Sequence, residues 1–326
     1  MKEEEIRPKK IFDEYIRLAA EDVHRYFAQS VFTEIPCPAC GEVGFFMFEK
    51  EGFKYESCKR CKTLFVSPRP AAKDFAEYYT NSTSTKYWSE TFYKATENAR
   101  REKLWKPKVK LVVDIIDRYM MDNNVQLIDI GGGYGLFAEE MFLQTGLRAT
   151  IIEPGPQLAA VCRERGFVVV EKFLENVVPA DIPSCNRVFV SFELFEHLHD
   201  PNVFIRRLNN LMNAGDLFIF TTLSGSGADI LALGEDSKSV SPPQHLNFFT
   251  PHSVEIFLKR NGMEFLNVLT PGKLDVDIIL NNKDKIKDSF WKCFADISSN
   301  EQQESMQRWL SDNLWSSHMW TVCRKP

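Results

Sequence analysis

The sequence predicts an α/β protein whose core is a mostly parallel sheet with helices on both faces, preceded by a small four-cysteine module. Two observations support this prediction. From residue 111 onward, short apolar strands alternate with amphipathic helical segments, which is the pattern of βαβ units. Ahead of that region, two Cys-x-x-Cys pairs lie close together in the chain, and such spacing is typical of a structural metal site.

The composition suits a folded protein with one large domain and a smaller one. The chain has 326 residues, of which 44% are hydrophobic and 26% are charged, with a formal net charge of -5. The first 110 residues carry 21 Lys and Arg against 17 Asp and Glu, and the remainder carries 19 against 28. The small positive net charge of the first 110 residues suits an anionic partner. The negative net charge of the remaining residues argues against nucleic acid as a partner.

The sequence also predicts where the protein resides. Residues 1–10 are charged and lack the apolar segment of a signal peptide, and no run of 18 apolar residues predicts a membrane span. Four further cysteines are scattered singly along the chain, unlike a secreted disulfide framework. We therefore expect a cytoplasmic protein.

The chain divides into four predicted regions. Apolar side chains recur at three- and four-residue steps from Ile11 to Ser30, which predicts an amphipathic helix. The polar, aromatic-rich stretch at 78–88 is expected to be a loop between helices. The regions are an N-terminal helix in 1–34, the cysteine module in 35–70, a helical and aromatic connecting region in 71–110, and the α/β domain in 111–326.

Within the α/β domain, the alternation of apolar runs and turn residues predicts seven strands. Thr250 and Pro251 are typical of a helix start, and Gly262 of a helix end. The segment 274–315 is predicted to be a helical insertion before the last strand. The expected strands are Val125–Ile130, Arg148–Ile152, Val168–Val170, Arg187–Phe192, Leu217–Thr222, Glu264–Leu269 and His318–Arg324.

A glycine-rich loop, Asp129–Gly135, follows the first of these strands. Glycines allow the backbone to turn sharply and to approach a ligand closely, but dinucleotide, flavin and adenosylmethionine sites all use such loops. Two acids discriminate among them. Asp129 would repel a pyrophosphate but accept hydrogen bonds from an ammonium group. Glu153 ends the next strand, where a carboxylate can bind ribose hydroxyls.

Three segments, Asp129–Gly135, Glu153–Pro154 and Phe192–Pro201, resemble successive motifs of class I S-adenosylmethionine-dependent methyltransferases. The resemblance covers about 111–270 and the final strand. It implies a Rossmann-like sheet of seven strands with the last one antiparallel, an enzyme, and S-adenosylmethionine as the cofactor. The cofactor-binding residues that it implies are Asp129, Gly131, Gly133, Gly135, Glu153, Pro154, Phe173, Leu174 and Phe192.

The cysteine module contains two knuckles separated by 17 residues. A tetrahedral zinc ion needs four soft ligands from two tight turns, and this spacing suits it. Four thiolates would leave no open position on the ion, so we expect a structural zinc; free thiols or a redox pair are the alternatives. Lys62 stands where many zinc ribbons have glycine. The predicted ligands are Cys37, Cys40, Cys58 and Cys61.

The whole chain also resembles zinc-ribbon methyltransferases of bacterial surface-polysaccharide and sugar-metabolite biosynthesis. The shared features are the cysteine pairs, Phe65–Pro70, the Tyr- and Trp-rich stretch that follows, the cofactor loop, Pro242–Thr250 and Thr270–Asp277. This resemblance implies a sugar acceptor, either activated by a nucleotide or part of a polysaccharide precursor.

Candidate catalytic residues lie after the fourth and fifth strands, at the sheet edge where open α/β folds bind ligands. Glu196, His197 and His245 can serve in proton transfer, with loop bracing as an equally weighted alternative for each histidine. His24, His199, His252 and His318 are expected at the surface or in packing contacts. The candidate acceptor-binding residues are Tyr87, Trp88, Gln244 and Asn247, although aromatic residues such as the first two more often pack a helix on the core.

Two other functions remain open from the sequence. Some RNA methyltransferases also carry an N-terminal zinc ribbon, and the basic front of the chain suits RNA, whereas Phe192–Phe195 stands where a base-binding motif would lie. The third possibility is a protein that binds the cofactor or a partner without catalysis. The sequence does not determine whether oxygen, nitrogen or carbon is methylated, or the oligomeric state.

Overall fold

The structure is a computed structural model that describes residues 1–120 and 125–326. Its strands are β1 (Gly44–Lys50), β2 (Phe53–Cys58), β3 (Leu64–Val66), β4 (Gln126–Ile130), β5 (Ala149–Ile152), β6 (Val168–Val170), β7 (Arg187–Ser191), β8 (Leu217–Leu223), β9 (Asn247–Phe248), β10 (Glu264–Leu269) and β11 (His318–Arg324). Its α-helices are α1 (Glu3–Ile6), α2 (Lys9–Phe27), α3 (Ala72–Asn81), α4 (Thr83–Tyr87), α5 (Lys94–Arg100), α6 (Lys106–Tyr119), α7 (Leu136–Thr145), α8 (Pro156–Glu164), α9 (Pro201–Leu211), α10 (Ala228–Leu233), α11 (Pro251–Arg260), α12 (Asp275–Asn281), α13 (Ser289–Ile297) and α14 (Asn300–Asp312).

The central sheet has seven strands in the order β10-β11-β8-β7-β4-β5-β6. Strands β4 to β8 pair in parallel, whereas β11 runs antiparallel to both β8 and β10. Every residue of β7 and β8 is buried, as expected for strands covered on both faces. The predicted fold class is confirmed, and each predicted strand of this sheet lies within one residue of an observed strand.

Helices cover the sheet on both faces and build two hydrophobic clusters. Helices α6 and α7 contribute Val109, Val112 and Phe137 to one cluster, and helices α9 and α11 contribute Leu208 and Phe257 to the other. Helix α11 begins as predicted, because the Thr250 hydroxyl accepts a hydrogen bond from the Ser253 amide. These clusters hold the carboxyl ends of the parallel strands at one edge of the sheet.

The connecting region, residues 71–110, is almost entirely helical. Helices α4, α5 and α6 follow one another through two π-helical turns, Trp88–Tyr93 and Arg101–Trp105. The prediction of a loop at 78–88 is wrong, because that stretch is helical on both sides of Ser82. The Ser82 hydroxyl accepts a hydrogen bond from the Thr85 amide at 3.3 Å, so this polar side chain starts a helix instead of a loop.

The cysteine module belongs to a four-stranded antiparallel sheet in the order β1-β2-β3-β9. Strand β9 comes from the distant 247–248 segment and pairs with β3, with Leu64 opposite Phe248. Cys58, Cys61 and Phe65 share a hydrophobic cluster with the central sheet. The cysteine module (residues 35–70), called the ribbon below, therefore packs on the α/β domain. The two are joined by the pairing of β3 with β9 and by a common hydrophobic core.

Between β10 and β11, helices α12, α13 and α14 form a helical segment with its own small core. Ile279 and Leu310 of this segment pack with Leu233 of α10. The part of the chain that the structure describes contains no helix with the length and apolarity to cross a bilayer.

Candidate active site

The glycine turn after β4 has a backbone that few other residues adopt. Gly131, Gly133 and Gly135 have φ angles of +70°, +56° and +71°, in the left-handed region that favours glycine. A Cβ atom at Gly135 would lie 3.1 Å from the sulfur of Cys162. The turn therefore holds the first amides of α7 at the sheet edge, free of side chains.

Two buried carboxyl groups flank this turn. Glu153 accepts hydrogen bonds from the amides of Gly133 at 3.0 Å and Gly155 at 2.9 Å, and burial raises its pKa. Asp129 is 2% exposed; its Oδ2 atom has no hydrogen-bond partner among the described residues. Burial, together with the charge of Glu153, raises the pKa of Asp129 to about 7. Buried carboxyl oxygens rarely lack a partner, so this arrangement suits a polar ligand.

The other predicted cofactor residues lie around the same edge with different exposure. Phe192 is buried and packs on Phe137, with ring centroids 4.5 Å apart. Leu174 is buried, Pro154 is half-buried and Phe173 is 59% exposed. The ring of Phe173 is thus accessible to a ligand, whereas the ring of Phe192 is packed in the hydrophobic core.

An ion-pair network next to Phe192 was missed by the sequence analysis. Glu193 has a φ of +55° and accepts hydrogen bonds from Lys108 Nζ at 2.7 Å and His318 Nε2 at 2.9 Å. Although burial opposes it, the Lys108 ammonium and the hydrogen bonds from Lys108 and His318 hold the pKa of Glu193 well below its usual range. The Lys108 ammonium lies 4.5 Å from the ring centroid of Trp105, a cation–π contact. The network fixes the end of β7, and its members are too far apart in sequence for a spacing motif.

Glu196, His197 and His245 are brought together. One side-chain oxygen or nitrogen of each lies within 4.8 Å of the other two, and the two imidazole centroids are 4.8 Å apart. Glu196 is 2% exposed. Its Oε2 atom and the Nδ1 atom of His197 have no partner among the described residues, whereas His245 Nδ1 donates to the Ser239 carbonyl at 2.6 Å.

Burial shifts the ionisation of all three groups. It raises the pKa of Glu196 to about 8, with a further contribution from the charge of Glu193. It lowers the pKa of His197 to about 3, with His245 adding to the effect, and the pKa of His245 to about 4. At neutral pH both imidazoles are therefore uncharged, and each keeps one ring nitrogen lone pair.

The ribbon holds the segment that carries His245. Tyr55 on β2 donates its hydroxyl hydrogen to the His245 carbonyl at 3.0 Å. The Leu246 amide donates to the Glu196 carbonyl at 2.8 Å, and the Val66 amide donates to the Leu246 carbonyl at 2.9 Å. The ribbon and the two predicted catalytic segments are thus joined by backbone hydrogen bonds.

Arg69 is a further residue that the sequence analysis missed, although it lies inside the Phe65–Pro70 motif. Its guanidinium is 2% exposed, and burial lowers its pKa to about 9. It donates hydrogen bonds to the carbonyls of Val66, His199 and Leu246 and to Asn247 Oδ1. Arg69 therefore fixes the ribbon exit to the loop that bears His245.

The four predicted acceptor-binding residues have partners inside the protein. Gln244 Nε2 donates to the Tyr78 hydroxyl at 2.6 Å, while its Oε1 atom is buried without a partner among the described residues. Asn247 Nδ2 donates to the Leu198 carbonyl at 2.7 Å. Trp88 stacks on Phe92 with centroids 4.2 Å apart, and Tyr87 packs in the same aromatic cluster as helix α2.

The four clustered thiols have the geometry of a tetrahedral metal site. Their sulfur atoms all lie within 4.8 Å of one another. The sulfurs of Cys37 and Cys61 are 3.5 Å apart, and those of Cys40 and Cys58 are 3.3 Å apart. Tetrahedral Zn–S bonds of about 2.3 Å place sulfurs about 3.8 Å apart, so the donor set fits zinc. Lys62 adopts a φ of +61°, the conformation that glycine supplies in many ribbons.

The sequence matches the family model described as "Methyltransferase domain" over residues 87–268. This match spans more than half of the chain and includes the glycine turn, Glu153 and the Glu196–His197 segment. The chain therefore belongs to this methyltransferase-domain family, which confirms the predicted enzyme class, an S-adenosylmethionine-dependent methyltransferase of class I fold.

Two curated relatives are ubiquinone biosynthesis O-methyltransferases. The protein from Colwellia psychrerythraea is 30% identical over 129 residues, which are 36% of this chain and 50% of the relative. The protein from Chromobacterium violaceum is 27% identical over 119 residues, which are 35% of this chain and 51% of the relative. The chain thus spans about half the length of the curated relatives that it matches.

Solved structures with a related fold include the plantazolicin methyltransferase BpumL in complex with SAH. It is 13% identical with a TM-score of 0.47, and the match covers 77% of this chain and 93% of that chain. The [4+2]-cyclase SpnF is 15% identical with a TM-score of 0.44, and the match covers 67% of this chain and 81% of that chain.

Proposed function

We propose that this enzyme transfers a methyl group from S-adenosylmethionine to a sugar, either nucleotide-activated or part of a polysaccharide precursor. One observation carries the proposal: buried polar atoms without partners line two adjoining positions at the carboxyl edge of the sheet. One position lies at the end of β4, and the other follows its neighbour β7 and the next strand, β8. Open α/β folds bind their ligands at this edge.

The cofactor would lie against the glycine turn. The unpartnered Asp129 Oδ2 suits the ammonium of its amino-acid part, and Glu153, already fixed by two amides, suits the ribose hydroxyls. Gly131, Gly133 and Gly135 leave room for close approach. Pro154, Phe173, Leu174 and Phe192 remain the proposed apolar contacts. When bound, the cofactor supplies an electrophilic methyl group on a sulfonium.

The acceptor side favours a ligand with many hydroxyl groups. Four buried side-chain atoms there lack partners among the described residues: Glu196 Oε2, His197 Nδ1, Thr222 Oγ1 and Gln244 Oε1. A site built from such groups binds a hydroxyl-bearing ligand and rejects an analogue without hydroxyls, because the polar atoms would stay unpaired. Glu196, His197 and His245 would bind the reacting hydroxyl and assist the removal of its proton. Tyr87, Trp88, Gln244 and Asn247 remain the proposed acceptor-binding residues.

We also propose that Cys37, Cys40, Cys58 and Cys61 hold a structural zinc ion. The spacing of the sulfurs supports it, as does the burial of Cys37, Cys58 and Cys61. Through Tyr55 and Arg69 the ribbon would keep His245 in place. Its function is then to position the acceptor side, without a part in the chemical step.

The test is a methyl-transfer assay with isotopically labelled cofactor on three separate acceptor pools: nucleotide sugars, phenols and RNA. We expect label in one or more nucleotide sugars and none in RNA. Labelled RNA with unlabelled sugars would overturn the proposal in favour of the RNA alternative. Tight SAH binding with no transfer to any pool would favour the non-catalytic alternative.

Matched variants connect the activity to the site. His197→Ala is expected to lower kcat with SAH affinity unchanged, because His197 lies on the acceptor side. His252→Ala is the control, since His252 is exposed at the start of α11. Equal kcat in the two variants would exclude His197 from the reaction.

A further inference from the structure

We propose that Glu196, His197 and His245 form a second metal site, distinct from the four cysteines, for a divalent transition-metal ion such as Zn²⁺. One donor atom from each residue lies within 4.8 Å of the other two. The carboxylate and the first imidazole follow β7, and the second imidazole comes from the segment between α10 and β9. Two imidazoles and one carboxylate are a known donor set for catalytic zinc.

The hydrogen bonding of His245 leaves one ring nitrogen available for a metal. Its Nδ1–H donates to the Ser239 carbonyl at 2.6 Å, so Nε2 of the neutral ring carries the lone pair. A backbone carbonyl on the far nitrogen is the usual partner of a metal-bound histidine, because it fixes the tautomer and the ring orientation.

The other two donors are buried without partners. Glu196 is 2% exposed, and its Oε2 atom lacks a hydrogen bond among the described residues. The Nδ1 atom of His197 is equally unpartnered. Buried polar atoms of this kind normally have a hydrogen-bond partner or a bound ion, and a single cation would satisfy both at once.

The geometry requires only small adjustments. Metal–ligand bonds of about 2.0–2.2 Å place donors of a tetrahedral site about 3.4 Å apart. The three donor atoms lie within 4.8 Å of one another, so side-chain rotations that move them by on the order of 1 Å bring the donors into range. Three protein ligands leave a position open for an acceptor oxygen. The four-cysteine site has no such position.

The chemical consequence of this site rests on the proposed function. An acceptor hydroxyl bound to the ion would lose its proton to solvent water more readily. Its oxygen would then form a bond to the methyl carbon while the carbon–sulfur bond of the sulfonium breaks and SAH leaves. The presence of the metal itself does not depend on that role, so it is tested without cofactor or acceptor.

The experiment measures metal content in the full chain. Wild type, Glu196→Gln, His245→Ala and the exposed control His252→Ala are equilibrated with Zn²⁺, freed of excess metal and analysed for zinc per chain. We expect Glu196→Gln and His245→Ala each to hold about one equivalent less than wild type, and His252→Ala to match wild type. Equal zinc in wild type and both site variants would overturn the proposal.

A second loading separates the two sites. Cobalt bound by thiolates shows sulfur-to-metal charge-transfer absorption, which a site of nitrogen and oxygen donors lacks. The spectrum of wild type minus His245→Ala should therefore contain cobalt absorption without charge-transfer bands. A difference spectrum with those bands would assign the lost metal to the cysteines and reject the site. Circular dichroism and SAH titration of each variant verify the fold, so a failure of methyl transfer is distinguished from a failure of metal binding.

Discussion

The cofactor side and the acceptor side of the active site are built in different ways. The glycine turn and Glu153 lie within one βαβ unit, where Glu153 accepts a hydrogen bond from the Gly133 amide, 20 residues away. The acceptor side joins the end of β7, the loop before β9 and the ribbon. There Tyr55 contacts His245 across 190 positions, and Arg69 contacts Asn247 across 178.

The two halves of the site therefore depend on different parts of the molecule. The glycine turn lies between β4 and α7 and is hydrogen-bonded to Glu153 at the end of β5. The acceptor side needs the ribbon in place, because the ribbon supplies hydrogen bonds to the His245 segment. Changes in the ribbon should therefore impair turnover more than SAH affinity, and changes at the glycine turn should do the reverse.

The largest effect is expected from the loss of one cysteine ligand. Cys58→Ser should abolish zinc binding at the four cysteines and lower Tm by about 10 °C or more, because structural zinc contributes directly to folding. Differential scanning fluorimetry with zinc analysis measures both. Cys185→Ser is the control, since Cys185 is an exposed thiol outside the cluster. Equal Tm values for the two variants would show that the cysteine ligands of the ribbon do not contribute to the thermal stability of the protein.

Arg69→Met should have the next largest effect. It removes the hydrogen bonds from Arg69 to three carbonyls and one amide oxygen in the core, of which the Leu246 carbonyl keeps the Val66 amide as a donor. The expected cost is about 3 kcal/mol in the free energy of unfolding. Urea unfolding checks the stability, and a methyl-transfer assay should show a lower kcat with an SAH Kd close to that of wild type. Arg118→Met, at an exposed arginine of α6, is the control. A raised SAH Kd with normal turnover would contradict the separation of the two sides.

On the cofactor side, Asp129→Asn and Glu153→Gln should each weaken SAH binding about 10- to 100-fold, the loss expected for a charge-assisted hydrogen bond. Tm should change little, because the amides around Glu153 retain an oxygen acceptor. Isothermal titration calorimetry measures the Kd, with Glu164→Gln as an exposed control. Unchanged affinity in both site variants would place the cofactor elsewhere.

The smallest effect concerns pH. Burial and the charge of Glu153 raise the pKa of Asp129 to about 7 in the fold, against a usual 3.8. The folded protein thus holds a proton that the unfolded chain has lost between about pH 4 and 7, so this group's contribution to stability declines as pH rises through that window. Asp129→Asn cannot ionise, and its free energy of unfolding relative to wild type should increase from pH 4.5 to pH 7.5. Denaturant unfolding without ligand measures this; a difference independent of pH would mean that Asp129 is ionised in both states.

The sequence alone determined the features that depend on local rules. Strand positions followed from apolar runs, the start of α11 from Thr250 and Pro251, and the glycine turn from residues that tolerate positive φ. These features need only short-range backbone geometry and periodic burial. The family assignment followed from the same local motifs, whereas the roles of the individual site residues and the sugar acceptor stay predictions.

Only the tertiary structure decided what comes together across long separations. The pairing of β9 with β3, the contacts of Arg69, and the Lys108–Glu193–His318 network have no spacing signal, because their members belong to elements with unrelated periodicities. The same holds for three residues that the sequence did identify as candidates, Glu196, His197 and His245. They lie close together only in the folded protein, where β3 of the ribbon packs beside the segment that carries His245. Chain folding sets such distances through packing of the whole core, and no short segment contains that information.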